Sequence, residues 1–197
     1  MIVKISNKSL LQKFAICNVD YIKTVCNGSC CNSSNKLMVT VHDSEKDNIL
    51  NNPFIKIDIE GNFIKPNEKG LCPFKNEYGL CVLHNTIYKP FGCIVSPFTL
   101  NKNNTLIVRN RYRLLKCYRI NINKTPVYIA HKFSLVKLFG ESGYDEICNN
   151  MNFNRDFFIY LDNIKYSILK DNDNFKKNML LKKHKQRDFI NGKTTKE

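Results

Sequence analysis

Nine cysteines in 197 residues constrain this chain more than any other feature, because seven of them are dispersed through turn-forming sequence. They run Cys26-x3-Cys30-Cys31, then Cys72-x8-Cys81-x11-Cys93, then Cys117. Cys26 and Cys30 flank Asn27-Gly28-Ser29, and Cys72 precedes Pro73. Cys81 follows Tyr78-Gly79-Leu80, and Cys93 follows Pro90-Phe91-Gly92. Turns let several sulfurs converge on one point, which is the arrangement a soft metal ion or an iron cluster requires. Residues 65–104 carry Pro66, Pro73, Pro90 and Pro97 with Gly70, Gly79 and Gly92, so neither a long helix nor a central strand runs through them. An irregular stretch of ~40 residues within a domain needs something other than secondary structure to order it. Metal ligation meets that need.

The compartment decides how the thiols are read. No apolar run approaches the ~20 residues that span a bilayer, and Met1–Lys13 scatters lysines through its apolar residues instead of forming a secretory signal. The expected address is the cytoplasm, with no membrane partner. Reduced thiols there bind metal or do redox chemistry more often than they form disulfides. The odd count and the neighbouring pair Cys30-Cys31 also disfavour a disulfide framework. Cys17 and Cys148 stand in apolar surroundings and read as small buried hydrophobes.

The remaining sequence predicts a small single α+β domain over 1–170. A few helices pack on short antiparallel strands around an irregular, metal-stapled middle, and a basic tail occupies 171–197. Helices are expected at Lys8–Ile16, after a cap at Asp43 or Ser44 as far as Leu50, and at Val127–Phe139 ending on Gly140. Further helices are expected at Tyr144–Met151 and Arg155–Leu169. Strands are expected at Leu37–Val41, Ile55–Ile59 and Thr105–Tyr112, with a hairpin turn at Gly61-Asn62. No internal repeat stands out.

Spacing excludes several specific sites. There is no CxxC pair for a zinc ribbon or thioredoxin centre, and Ser33 stands where a CxxxCxxC radical site needs cysteine. The ferredoxin run C-x2-C-x2-C is absent as well.

The segments CNGSCC (26–31), GLCPFKNEYGLCVLHN (70–85) and YKPFGCIVSPF (88–98) resemble the zinc- or iron-chelating cysteine-cluster family often called YkgJ-like. The resemblance covers about residues 26–98. It implies metal binding without a settled reaction, with an iron–sulfur cluster, [4Fe-4S] in form, or zinc as the cofactor. The family's first motif cysteine has no counterpart here, Cys26 stands one residue further from the pair, and Lys89-Pro90 replaces Arg-Pro. Cys117 is the candidate for the missing ligand. Cys26, Cys30, Cys31, Cys72, Cys81, Cys93 and Cys117 are thus the candidate ligands. One centre takes four of these seven, so three are spare or there are two sites.

The formal charge of +14 is unevenly spread. No acidic residue falls between Glu77 and Glu141, whereas ten lysines and arginines do. Arg109, Arg111 and Arg113 alternate, so on a strand their guanidiniums would share one face and clamp an anion. Nucleic acid or another anionic partner is the alternative function class, with the chain as a metal-dependent enzyme or accessory protein acting through that basic face. His84, three residues after Cys81, is placed to ligate metal or to support a ligand.

Overall fold

Val3 and Ile5 alternate with more exposed neighbours and are wholly buried, which makes the first strand, β1 (Ile2–Ile5), the centre of the main sheet. The structure is a computed structural model and describes residues 1–32, 39–120 and 123–170. The basic tail 171–197 lies outside them, as does the start of the strand expected at Leu37–Val41. After β1 the chain forms one helical turn, Asn7–Leu10, and then β2 (Lys13–Ala15). The helix expected over Lys8–Ile16 is therefore corrected. Phe14 and Ala15 are buried in β2, which pairs antiparallel with β7 (Lys124–Pro126).

The expected hairpin is present as β3 (Ile59–Glu60) and β4 (Phe63–Ile64), turning on Gly61-Asn62. The alternation from Ile55 carries only its last residues into the ladder. β5 (Phe98–Leu100) and β6 (Thr105–Val108) form an antiparallel pair. β8 (Phe157–Tyr160) completes a four-stranded sheet in the order β5-β6-β1-β8. β1 runs parallel to β6 and antiparallel to β8, so the sheet is mixed and not wholly antiparallel. The helix expected at Arg155–Leu169 is divided. Phe157 and Ile159 face the core while Phe158 and Tyr160 face solvent, a period of two, and helix is confined to 163–170.

The helix Lys132–Met151 lays Leu135, Leu138, Tyr144, Ile147 and Met151 on the sheet. Gly140, at φ +76, breaks it into two runs at the position the sequence marks as a stop. The short helix Val127–Ala130 precedes it. No helix among the described residues is long and apolar enough to cross a membrane.

A second, smaller core lies under the irregular middle. Val41, Ile49, Ile64, Phe74 and Leu83 bury one another, and Cys72 and Cys81 are partly buried against them. The adjoining turn over Asp43–Glu45 is capped by His42, not by Asp43 or Ser44 as expected. The Glu45 carboxylate accepts from the backbone N–H of both His42 (3.1 Å) and Phe91 (2.6 Å). The bond to Phe91 ties the Pro90–Cys93 segment to this core.

Candidate metal centre

Cys72 and Cys81 are delivered by two copies of one loop. The sequences Asn67-Glu-Lys-Gly-Leu-Cys72 and Asn76-Glu-Tyr-Gly-Leu-Cys81 share the pattern N-E-x-G-L-C, nine residues apart. In each copy the asparagine side-chain carbonyl accepts from two backbone N–H groups. For Asn67 the donors are Lys69 (3.1 Å) and Leu71 (2.9 Å), and for Asn76 they are Tyr78 (3.1 Å) and Leu80 (2.9 Å). In each, the asparagine backbone also accepts from the glycine and donates to the leucine carbonyl. This side chain substitutes for a strand partner and fixes the turn that aims the following cysteine. The repeat was not anticipated from sequence, although the N-E-x-G-L-C match is the signal that carries it.

The first cysteine loop docks on the second copy through a contact between glycines. Gly28 and Gly79 both take positive φ, +54 and +79. A Cβ on Gly79 would meet the main-chain carbon of Asn27 at 2.6 Å and its Cα at 2.9 Å. Only a backbone without a side chain approaches this closely. Alongside, the Cys72 N–H donates to the Cys31 carbonyl at 3.0 Å, and Lys75 Nζ donates to Asn32 Oδ1 at 2.9 Å. The sequence between Cys26 and Cys31 is not open loop. It closes a π-helical turn, Ile22–Cys26, and opens a 3-10 turn, Ser29–Cys31.

Cys93 enters on the helical turn Phe91–Ile94, which Ser134 Oγ anchors by donating to the Ile94 (2.8 Å) and Ser96 (3.0 Å) carbonyls. Cys117 enters on Lys116–Arg119, whose Lys116 Nζ donates to the Val25 carbonyl at 2.9 Å, next to Cys26. Cys17 does not lie on a helix as its surroundings suggested. It follows β2 on exposed chain and stands within electrostatic reach of Cys26 and Cys30. Cys148, on the long helix, packs on the main core, as expected of a packing residue.

All nine cysteines are free thiols, and Cys30 Sγ lies 3.8 Å from Cys31 Sγ. Their titration shows how they are grouped. The hydrogen bond to Cys31 holds the Cys30 thiol well above its ordinary range, and burial adds to this. That same bond lowers Cys31, but a hydrogen bond with Cys72, burial and the neighbouring Cys93 together raise it. Burial pushes Cys93 up to about 12, with Cys81 and Cys30 adding to the shift. Burial likewise pushes Cys117 up to about 12, with Cys30, Cys17 and Cys26 adding. Solvent reaches Cys17, yet the protein around its thiol still pushes it up to about 11. Cys81 is raised by burial and lowered by the backbone N–H groups of Leu83 and His84, which hydrogen-bond to its sulfur and favour the thiolate.

Positive charge surrounds the sulfurs. Lys89 lowers Cys17, Cys30, Cys81 and Cys93 through its charge, and its Nζ lies 3.1 Å from His84 Nδ1. His84 is held below its ordinary value by burial and by Lys89, so the neutral ring accepts at Nδ1 from the lysine. Buried Arg109 donates from Nε to the Phe98 carbonyl at 3.0 Å and lowers Cys93. The three arginines do not share a face, because β6 ends at Val108 and Asn110–Leu114 is a 3-10 turn. Arg109 is buried, Arg111 half-buried over the Tyr112 ring, and Arg113 exposed with its Nε on Gln12 Oε1 at 3.2 Å.

The structure thus gathers all seven predicted ligands with Cys17. Among the described residues, no three Cys, His, Asp or Glu side chains already stand at metal-ligating distance around one point. The sulfurs are neighbours, not a closed cage. No family model, curated protein or solved structure matches this chain.

Proposed function

We propose that this chain is a metal–thiolate protein whose gathered cysteines hold zinc or an iron–sulfur cluster, in a structural or electron-carrying role. The observation that carries the reading is the convergence of Cys31, Cys72, Cys81 and Cys93 from three separate segments, with Lys89 and two backbone N–H groups directed at their sulfurs. Burial alone accounts poorly for such a set. Thiols serving only as small hydrophobes have no use for donors that favour their charged form, nor for two Asx-fixed loops that present them. A bound cation reverses the titration, because a coordinating thiol is deprotonated outright. Four thiolates around a divalent ion or a cluster leave net negative charge, which Lys89 and Arg109 offset. Four ligands suit either tetrahedral zinc or a [4Fe-4S] cluster.

A second reading rests on Arg111, whose Nε and Nη1 are buried without a hydrogen-bond partner. Such nitrogens suit an anionic substrate or a nucleic-acid phosphate beside the thiols. If an anion docks there, Arg111→Gln abolishes low-salt phosphate or oligonucleotide binding without altering metal content.

Anaerobic purification with metal analysis and a visible spectrum tests the main reading. Tightly held zinc, or iron with broad sulfur-to-iron absorption, supports it. A folded, metal-free chain overturns it.

A further inference from the structure

The seven candidate ligands exceed what one four-coordinate centre uses, and the surplus is itself arranged. Cys26 and Cys117 lie together on the far side of Cys30, joined by the Lys116 bond to the Val25 carbonyl. The helical turn that carries Cys117 packs against both the turn ending in Cys26 and strand β2, which leads into Cys17. The thiols that act on Cys117 are Cys30, Cys17 and Cys26, and those that act on Cys17 are Cys30 and Cys26. On the near side Cys31 has Cys72 and Cys93 as neighbours, and Cys93 has Cys81. Cys30 stands between the two groups and reaches both.

A second observation marks the far group as a binding position. The Tyr21 hydroxyl is buried with no hydrogen-bond partner, and its closest ionisable neighbours include Cys117, Cys26 and Cys17. An O–H buried without an acceptor is unfavourable. Thiolates are strong acceptors, so a metal that ionised these sulfurs would give Tyr21 its partner.

We propose that the chain carries two thiolate metal centres. Cys31, Cys72, Cys81 and Cys93 form one, and Cys17, Cys26, Cys30 and Cys117 form the other, with the adjacent Cys30-Cys31 pair as the wall between them. This rests on the metal–thiolate reading and assigns Cys17 a ligand's role that its sequence context does not suggest. Each centre takes a thiophilic ion or cluster of the same class. The two lie close enough for each thiolate set to raise the charge felt by the other, so loading one opposes loading the next unless cations such as Lys89 intervene.

The test is cadmium titration of the full-length, reduced and metal-stripped chain. Thiolate-to-cadmium absorption is followed for stoichiometry, and cadmium-113 resonance counts the sites. Two equivalents and two resonances are expected for the parent chain. Cys17→Ser and Cys117→Ser should each lose one equivalent and the same resonance. Cys72→Ser and Cys93→Ser should each lose the other. Cys17 is exposed, so its replacement leaves the fold intact by circular dichroism even if a buried variant does not fold. Tyr21→Phe should keep both equivalents but move only the resonance lost in Cys17→Ser. One equivalent in the parent, unchanged in Cys17→Ser and Cys117→Ser, overturns the second centre while leaving the first. No cadmium uptake by the folded parent overturns the metal reading itself.

Discussion

Substitution of Gly79 by alanine probes how the cysteine loops are held together. A Cβ at this position would lie 2.6 Å from the main-chain carbon of Asn27, whereas ordinary contacts begin at 3.4 Å, so the two loops must separate by about 0.8 Å. The opposing atoms are backbone and cannot rotate away. Metal-ligand distances hold to within ~0.2 Å, and Cys81 is only two residues from the substitution. The positive φ of +79 adds a conformational cost of ~1–2 kcal/mol for a residue with a Cβ. Overpacking adds ~1–3 kcal/mol, giving a total loss of about 2–5 kcal/mol. Gly61 provides the control, since it has φ +60 and a Cβ added there would meet nothing within 4 Å. Gly61→Ala should lose only the conformational ~1–2 kcal/mol. Urea unfolding followed by circular dichroism gives both values, and cobalt uptake gives the metal affinity. Gly79→Ala should lose affinity and Gly61→Ala should not. Equal stability losses with unchanged metal affinity in both would refute the docking of the two loops as the device that assembles the centre.

The cysteines should separate by role. Cys81→Ser should lose metal and much of the ~10–16 kcal/mol that a structural metal can supply to folding, while Cys148→Ser keeps the metal and loses about 1 kcal/mol of packing; metal analysis and thermal unfolding read both. Lys89→Gln should weaken metal binding and raise the apparent pH at which thiolates form, measured by thiolate absorption during cobalt uptake at several pH values, and an unchanged profile would remove Lys89 from the site. His131 packs edge-on against Phe14 and Phe98, and burial lowers its pKa from an ordinary 6.5 to about 4. Below pH 6.5 the unfolded chain therefore binds a proton that the folded chain refuses, so about 3 kcal/mol of stability should be lost between pH 6.5 and 4. Urea unfolding of His131→Phe across that window should be flatter than the parent's by this amount.

Much of the site was legible in the sequence because turn chemistry is local. Gly and Pro beside Cys26, Cys72, Cys81 and Cys93 marked these cysteines as turn-borne, and the hairpin at Gly61-Asn62 and the stop at Gly140 followed the same logic. The elements that failed depend on partners distant in sequence. Phe157–Tyr160 alternates as a strand because β1, at the other end of the described chain, offers an edge. Phe14 and Ala15 leave a helical pattern because β7 pairs with them. Arg109, Arg111 and Arg113 lost their shared face where the chain turned at Val108, an ending set by the length of β5 beside it. Cys17 was placed with packing residues because nothing near it in sequence is turn-forming. Its neighbours at Cys26, Cys30 and Cys117 are brought there by the helical turn Lys116–Arg119 crossing β2, which no local pattern encodes.

The most direct test of the metal–thiolate assignment is X-ray absorption at the metal edge of the anaerobically purified full-length chain. A first shell of sulfur alone is expected, at about 2.3 Å for zinc, with an additional iron–iron shell if the centre is an iron–sulfur cluster. A first shell of nitrogen or oxygen, or a folded protein carrying no metal at all, would contradict it.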